Sequence, residues 1–354
     1  MKKVLSPKRS VLLDILRIFA ALWVVSYHWS GKGYYRFLED SFELQRPNGF
    51  WQDFTSLGYL GVDIFFILSG SVIARSALSR NHSSFAKSRF LRLFPVYFLA
   101  TCLAIFSTRI QNGTAITSER LFSALGFQFW TRTENVIGAA WTLQYEIQFY
   151  FMIYSAIYFV NRKKLVFGTD NLRVLLNLLT IFIVIGPFFG SRIVEFVTLN
   201  SFLPYFVLGA CLSQIRAKTD LKNYLIILII NMVYGVKILN NRVTEKTDLA
   251  NPLLVTVVVL LTVIIIIFLS YLTEFLSLKE RFSSGITTLS LMTYPIYLLH
   301  DEVFMSLNAH TLVPKFGQNI GFAMSFTLLL IASFLIVKVY EPSVRKVFNR
   351  FVLL

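Results

Sequence analysis

Apolar stretches of similar length recur along the whole chain and are separated by short polar segments. About 20 predominantly apolar residues allow a helix to cross the hydrocarbon core of a bilayer. The pattern therefore predicts about ten transmembrane helices, two of which (58–78 and 139–160) are less apolar because they carry polar residues. The predicted helices are residues 11–30, 58–78, 93–110, 139–160, 174–190, 198–215, 223–239, 252–272, 286–306 and 319–339.

The polar gaps between these helices are short, and the longest are residues 31–57 and 111–138. We therefore predict a single integral membrane domain over residues 1–354. The composition agrees, since 55% of the residues are hydrophobic and only 15% are charged, against about 25% charged in soluble domains. Such a chain has too little polar surface to coat a soluble globule. The fold class predicted is an all-α membrane protein.

The N-terminus resembles a signal peptide, because basic residues precede an apolar run. The basic residues are Lys2, Lys3, Lys8 and Arg9. However, the run from Val11 to Trp29 contains Asp14 and Arg17, and no small-residue cleavage site follows it. We therefore predict a retained first membrane helix.

The distribution of basic residues predicts the orientation. The chain has 34 Lys and Arg against 19 Asp and Glu, a net charge of +15. If both termini are cytoplasmic, the inner segments carry more than twice as many basic residues as the outer loops. This asymmetry is the one that positive-inside topology produces. It explains the basic excess without a nucleic-acid partner.

Ionisable residues inside membrane helices are candidates for function because they are costly to bury. The first helix carries Asp14, Arg17 and His28, the second Asp63, the fourth Glu146, and the ninth His300, Asp301 and Glu302. The fourth helix also opens with Trp141.

Arg17 and His28 are eleven residues apart, a spacing that returns almost to the same face of a helix and spans roughly 16 Å. One face of the first helix thus carries a cation on the inner side and an imidazole near the outer side. Asp14 lies three residues before Arg17 and can pair with it. The alternatives are a salt-bridged structural arginine and a hydrogen-bonded interfacial histidine.

The predicted topology places His28, Glu146 and His300 at similar depth in the outer half of the membrane. Two histidines and a carboxylate in one layer permit general acid–base chemistry. No metal is expected, because the sequence has no close histidine pair such as H-x-x-x-H. Glu146 is alternatively a buried partner for an arginine.

Basic residues cluster between the second and third helices, at Arg80, Lys87, Arg89 and Arg92. Arg89 and Arg92 are three residues apart and share a helix face. Arginine forks suit bidentate binding of phosphate, so an anionic cytoplasmic ligand is predicted here. Retention of positive charge on the inner side is the alternative explanation.

Six segments together resemble the acyltransferase-3 family of integral membrane acyltransferases. They are LDILRIFAALWVVSYHWS (13–30), GVDIFFILSG (61–70), FAKSRFLRLFPVYFLA (85–100), WTLQYEIQFY (141–150), LSLMTYPIYLLH (289–300) and YEPSVRK (340–346). The resemblance covers nearly the whole chain in order. One departure is that three residues separate Ser290 from Tyr294, which are often adjacent in the family.

The resemblance implies a ten-helix protein that moves an acyl group, usually acetyl, from cytoplasmic acyl-CoA to a hydroxyl of a glycan or other acceptor. It implies a catalytic base at His28 and an essential polar residue at Glu146. It implies that Arg17, Arg89 and Arg92 hold the donor, and that Phe65, Phe66, Ser69 and Gly70 line or shape its channel. Further candidates are Asp14, Asp63, Trp141, Tyr297 and His300.

The predicted function is therefore O-acylation of a cell-envelope glycan or lipid-linked sugar at the bacterial inner membrane, with acetyl-CoA as co-substrate. Some relatives carry a fused esterase-like domain, and because this chain ends at Leu354, the stand-alone form is expected. The alternative function is a multi-helix transporter or exporter. The first and second five helices show no convincing repeat, which many transporters have.

Overall fold

The computed structural model describes residues 10–30, 49–126, 135–188, 199, 201–215, 221–247, 251–272 and 280–352. This part of the chain is helical and contains no β-strand. The basic N-terminal residues Lys2, Lys3, Lys8 and Arg9, most of the polar gap 31–57 and part of the gap 111–138 lie outside the described residues.

The α-helices follow one another in the order of the predicted ones, with short helices between them. They are α1 (Val11–Ser30), α2 (Phe50–Ser56), α3 (Gly61–Leu78), α4 (His82–Asn112), α5 (Ser118–Ala124), α6 (Trp141–Arg162), α7 (Thr169–Ile185), α8 (Leu203–Ile215), α9 (Leu221–Lys246), α10 (Pro252–Leu272), α11 (Glu280–Leu299), α12 (Val313–Phe316), α13 (Gln318–Leu335) and α14 (Glu341–Val352).

Each of the ten predicted regions contains a helix, so the all-α membrane class is confirmed. Six of the described helical stretches are long and apolar enough to cross a membrane. They are Val11–Trp29, Phe50–Leu78, His82–Gln111, Thr169–Phe188, Lys222–Lys246 and Gln318–Arg350. Leu203–Gln214 and Pro252–Ile267 are shorter apolar helices. Ten crossings and cytoplasmic termini stay predictions.

Two helices extend well beyond their apolar runs. Helix α4 begins at His82 rather than near residue 93, because the Asn81 side chain caps it by accepting a hydrogen bond from the Ser84 amide at 2.9 Å. Helix α9 continues to Lys246, beyond the predicted end at residue 239, so Arg242 and Lys246 lie on the helix. The charged residues in these helix extensions therefore have fixed positions on helix faces.

The ninth predicted helix, residues 286–306, changes its geometry part-way. Helix α11 ends at Leu299, and π-helical turns follow at His300–Met305 and Asn308–Leu312. A π-turn has wider hydrogen-bonded spacing than an α-turn and is frequent at functional sites. The change begins at His300, one of the predicted site residues, and brings Asp301 towards α1.

Helix α3 is the central element and packs closely against α8. Gly70 faces the backbone carbonyl of Phe206, and Gly209 faces that of Ile67, so a Cβ at either glycine would overlap an oxygen of the other helix. The two helices can approach this closely only because both contact points lack a side chain. Gly70 therefore shapes the site through packing and does not line its cavity.

Replacing Gly70 by alanine should destabilise the protein by about 1–3 kcal/mol, the usual cost of overpacking. The measurement is the thermal midpoint in detergent, monitored as the loss of the monodisperse peak. Gly285→Ala is the control, because a Cβ there meets nothing within 4 Å. Equal midpoints for the two variants would contradict the close contact.

Candidate functional site

A cavity of about 1060 Å³ opens among α1, α3, α4, α6 and α11. It brings together most of the residues predicted to form the site. Those on its wall are Arg17, Phe65, Phe66, Ser69, Arg89, Arg92, Glu146 and Tyr297. These residues come from five separate helices, so the bundle joins segments that are more than 270 residues apart in the chain.

One end of the cavity is strongly basic. Besides Arg17, Arg89 and Arg92, it is lined by four further cationic residues: Arg75, Arg80, Lys87 and Arg345. Arg80 and Lys87 belong to the basic cluster predicted to bind an anion, whereas Arg75 and Arg345 were not predicted. Glu146 is the only acidic residue among the described ones on the wall. A cleft lined mainly by one sign of charge concentrates ligands of the opposite sign. The cavity is thus suited to an anion.

The predicted pairing of Asp14 with Arg17 is confirmed. Arg17 Nη1 donates to Asp14 Oδ1 at 3.1 Å, and the carboxylate is fully buried. Ser290 Oγ on α11 donates to the same oxygen at 2.7 Å. The carboxylate therefore orients Arg17 towards the cavity, and Ser290 has a structural partner that the sequence did not reveal.

Glu146 is held by hydroxyl groups. Its Oε1 accepts hydrogen bonds from Ser69 Oγ at 2.9 Å and from Tyr150 Oη at 2.5 Å. The guanidinium of Arg89 lies over the Tyr150 ring, 5.6 Å from its centroid. In the described part of the chain, Glu146 therefore reaches the basic residues through Tyr150 and is not in direct contact with an arginine.

Tyr297 closes the other end of the cavity. Its hydroxyl accepts a hydrogen bond from Thr142 Oγ1 and donates one to the Ala139 carbonyl, both at 3.1 Å. Its ring lies 6.0 Å from the ring of Phe65 and 5.9 Å from that of His300. Tyr297 therefore stands between the cavity and the buried histidine.

The two predicted histidines meet behind Tyr297. The rings of His28 and His300 are 5.0 Å apart, and His300 is fully buried. His300 Nδ1 is 2.7 Å from the Tyr297 carbonyl, so this nitrogen carries the proton and donates it. Nε2 of His300 is then an acceptor and has no hydrogen-bond partner in the described part of the chain.

Asp301 faces His28 from the first π-turn. Its Oδ2 lies 4.0 Å from Nδ1 of His28, whose side chain is 27% exposed. A carboxylate beside Nδ1 favours the tautomer with the proton on that nitrogen, which leaves Nε2 free to act as a base. The sequence identified Asp301 as an ionisable residue of the ninth helix but did not show that it faces His28.

The predicted layer of two histidines and Glu146 forms only in part. Thr142 contacts Tyr297, and Glu146 lies four residues further along α6, about 6 Å deeper by helical rise. The histidines are therefore beyond the cavity end, and Glu146 is on the cavity wall.

Two other candidates lie outside the cavity wall. Arg242 Nη1 donates to Asp63 Oδ1 at 2.6 Å, and the guanidinium stacks on the rings of Tyr59 and Phe202. Trp141 packs 5.4 Å from the Phe202 ring. The first contact joins α9 to α3, and the second joins α6 to the residue just before α8. Across the ranges that the structure describes, no group of three or more His, Cys, Asp or Glu side chains is placed to hold a metal ion.

Comparison with known proteins gives relatives of several kinds. The chain is 30% identical over 175 residues to Regulator of hypoxia-inducible factor 1 of Caenorhabditis elegans, covering 42% of this chain and 34% of that protein. It is 36% identical over 103 residues to Protein 2 in picA locus of Rhizobium radiobacter, covering 27% and 44%. It is 25% identical over 181 residues to O-acetyltransferase OatA of Staphylococcus aureus, covering 45% and 26%.

The chain thus spans less than half the length of each of these curated relatives. No solved structure matches it. A family model described as an acyltransferase domain matches residues 11–339, which is nearly the whole chain and includes every wall residue named above except Arg345. The chain therefore belongs to the acyltransferase-3 family, and its long apolar helices are those of an integral membrane protein.

Proposed function

We propose that this protein transfers an acetyl group from cytoplasmic acetyl-CoA to a hydroxyl of a cell-envelope glycan or lipid-linked sugar. One observation carries the proposal: a single cavity runs from a cluster of basic residues to Tyr297, directly behind which the two histidines meet. The name of the Staphylococcus aureus relative, an O-acetyltransferase, supports the same reaction class.

The basic end suits the donor. CoA carries its phosphates at one end and the thioester at the other, joined by a long uncharged pantetheine arm. Phosphates favour arginine forks such as those of Arg89 and Arg92, and the uncharged arm suits the apolar wall formed by Phe65 and Phe66. The thioester then lies towards Tyr297.

The histidine end suits the chemistry. A sugar hydroxyl is a poor nucleophile at neutral pH and requires a base within hydrogen-bond reach. Nε2 of His28 takes the hydroxyl proton as the oxygen attacks the thioester carbonyl. The carbon–sulfur bond then breaks, and the leaving thiolate of CoA takes that proton from His28. Asp301, whose Oδ2 lies 4.0 Å from Nδ1, favours this tautomer of His28 and stabilises its charged form.

The sides of the membrane follow from the same arrangement. In our proposal the basic end faces the cytoplasm, where acetyl-CoA is made, and the histidines are reached by an acceptor from the outer side. The membrane is then the bacterial inner membrane.

The direct test is transfer of label from acetyl-CoA by the purified protein in liposomes without an ion gradient. A membrane fraction that supplies lipid-linked sugars and glycans is added to this assay, and labelled acceptor is expected in it. Mass spectrometry of surface glycans from a deletion strain and its parent should reveal the acceptor as the species that loses the mass of one acetyl group. Transfer that requires an ion gradient, with unchanged glycans, would favour a transporter.

Replacing both Arg89 and Arg92 by alanine should raise the dissociation constant for acetyl-CoA at least about tenfold. Each charge-assisted hydrogen bond contributes about 1.5–3 kcal/mol, and 1.4 kcal/mol is a factor of ten. Binding is measured by isothermal titration with the detergent-purified protein, and acceptor affinity should change less.

The matched control is Arg162→Ala with Lys163→Ala. Both residues are exposed, lie at the end of α6 and are not on the cavity wall. If the two double variants bind acetyl-CoA equally well, Arg89 and Arg92 serve only membrane topology.

A further inference from the structure

Arg80 and Arg89 share the same two serine hydroxyls at the basic end of the cavity. Arg80 Nη1 donates to Ser76 Oγ at 2.8 Å and to Ser88 Oγ at 2.7 Å. Arg89 Nη2 donates to Ser76 Oγ at 3.2 Å, and its Nε and Nη2 donate to Ser88 Oγ at 3.2 and 3.1 Å. The two guanidinium groups are therefore no farther apart than two hydrogen-bond lengths.

In the described part of the chain, this pair of like charges has no acidic partner, whereas two other cations of the cavity have one. Arg17 is paired with Asp14, and Arg345 lies 3.6 Å from Glu341. In the described part of the chain, Arg80 contacts only the two hydroxyls, and Arg89 adds only the ring faces of Phe85 and Tyr150. Burial and the nearby charge of Arg89 both lower the pKa of Arg80, as expected for an uncompensated pair.

The serines also remain able to donate. A hydroxyl has one proton and two lone pairs. Ser76 Oγ accepts from both arginines, and so does Ser88 Oγ, whereas neither hydroxyl donates to a group in the described ranges. Two guanidinium forks and two free O–H groups that face the same cavity form a set of donors without an acceptor.

The distance from this pair to Tyr297 identifies which phosphate it suits. Ser76 and Phe65 are eleven residues apart on α3, roughly 16 Å by helical rise. The pantetheine arm has the covalent length of about four extended residues, about 14 Å. A diphosphate at Ser76 therefore places the thioester beside Phe65 and Tyr297. The 3′-phosphate of CoA lies on the ribose, farther from the thioester than the diphosphate does. Its distance from the thioester does not match the distance from Ser76 to Phe65.

We infer that Arg80 and Arg89, bridged by Ser76 and Ser88, form the binding site for the diphosphate group of the CoA donor. The inference rests on the proposed function, since it specifies how the acetyl-CoA donor is recognised. It adds Arg80, Ser76 and Ser88 to the donor site. Two negative phosphates neutralise the two arginines and accept the free serine protons, so each group gains the partner it lacks.

The test is the steady-state kinetics of Arg80→Ala with a series of shortened donors. With acetyl-CoA, the KM should rise about tenfold or more while kcat stays within about twofold, because the phosphates are remote from the reacting carbonyl. Dephospho-acetyl-CoA keeps the diphosphate, so the ratio of the KM of the variant to that of the wild type should be the same as with acetyl-CoA. Acetyl-pantetheine has no phosphate, so its KM should be equal in the variant and the wild type.

Two further variants guard against misfolding. Arg80→Lys keeps the charge but loses the fork and should fall between the wild type and the alanine variant. Arg162→Ala is exposed, lies outside the cavity and should match the wild type with every donor.

A KM for acetyl-CoA that is unchanged in Arg80→Ala would overturn the inference, while turnover by the wild type would leave the proposed function intact. If the variant and the wild type have equal KM values for dephospho-acetyl-CoA but not for acetyl-CoA, the pair binds the 3′-phosphate and the diphosphate site is overturned. If the wild type does not use acetyl-CoA at all, the proposed function fails. The pair is then tested with inorganic pyrophosphate, which should raise the thermal midpoint of the wild type but not of Arg80→Ala.

Discussion

Replacing His28 by alanine is expected to reduce acyl transfer by a factor of about 10²–10⁴, the usual contribution of a general base. His28 is the partly exposed member of the histidine pair, and Asp301 faces its Nδ1 at 4.0 Å. An acceptor hydroxyl can therefore approach Nε2. The measurement is turnover of labelled acetyl-CoA by the variant at a membrane level matched to that of the wild type.

His300 is the rival base and supplies the critical comparison. It is fully buried, and its Nε2 has no partner in the described part of the chain. We expect His300→Ala to lower activity less than His28→Ala, because the acceptor reaches His28 first. Near-normal turnover in His28→Ala with collapse in His300→Ala would transfer the catalytic role to His300. His310→Ala, at an exposed histidine, is the control for loss of an imidazole.

Replacing Arg242 by alanine is expected to lower the free energy of unfolding by about 3–5 kcal/mol, because it leaves a buried carboxylate without its partner. The Asp63 side chain is 3% exposed and accepts from Arg242 at 2.6 Å. Its second oxygen has no hydrogen-bond partner in the described ranges. The measurement is the thermal midpoint of the detergent-purified protein.

The double variant Asp63→Asn with Arg242→Gln should recover much of this loss, because both charges are then removed together. Arg173→Ala is the control at an ion pair whose acid, Asp170, is 83% exposed, and it should cost less than about 1 kcal/mol. A loss in Arg242→Ala no larger than in Arg173→Ala would show that the buried pair does not stabilise the bundle.

Asp63 and Arg242 also show that a charge inside a membrane helix can have a structural partner far away in the sequence. Asp63 was predicted as a site candidate because charges inside membrane helices are costly. In the structure it forms an ion pair that joins α3 to α9 across 179 residues of sequence. The apolar run near residues 223–239 does not reveal this partner, because α9 continues beyond the run to Lys246.

The sequence by itself determined the helices and the face on which each local group lies. Apolar runs of spanning length predict helices whatever surrounds them, because a helix satisfies its backbone hydrogen bonds within one segment of about 20 residues. The helical period likewise fixed Asp14 beside Arg17 and placed His28 on the same face as Arg17. These properties depend only on residues within one helix.

The tertiary structure decided which faces meet. The sequence does not encode directly that Tyr297 stands between the cavity and the histidines, that Asp301 faces His28, or that Arg80 and Arg89 share two serines. These contacts join residues on different helices or across a turn, and they depend on how closely the helices pack. Gly70 against Phe206 sets one such distance, and the π-turn at His300 sets another. Helical period and rise give the depth and face of a side chain, but only packing supplies its neighbour.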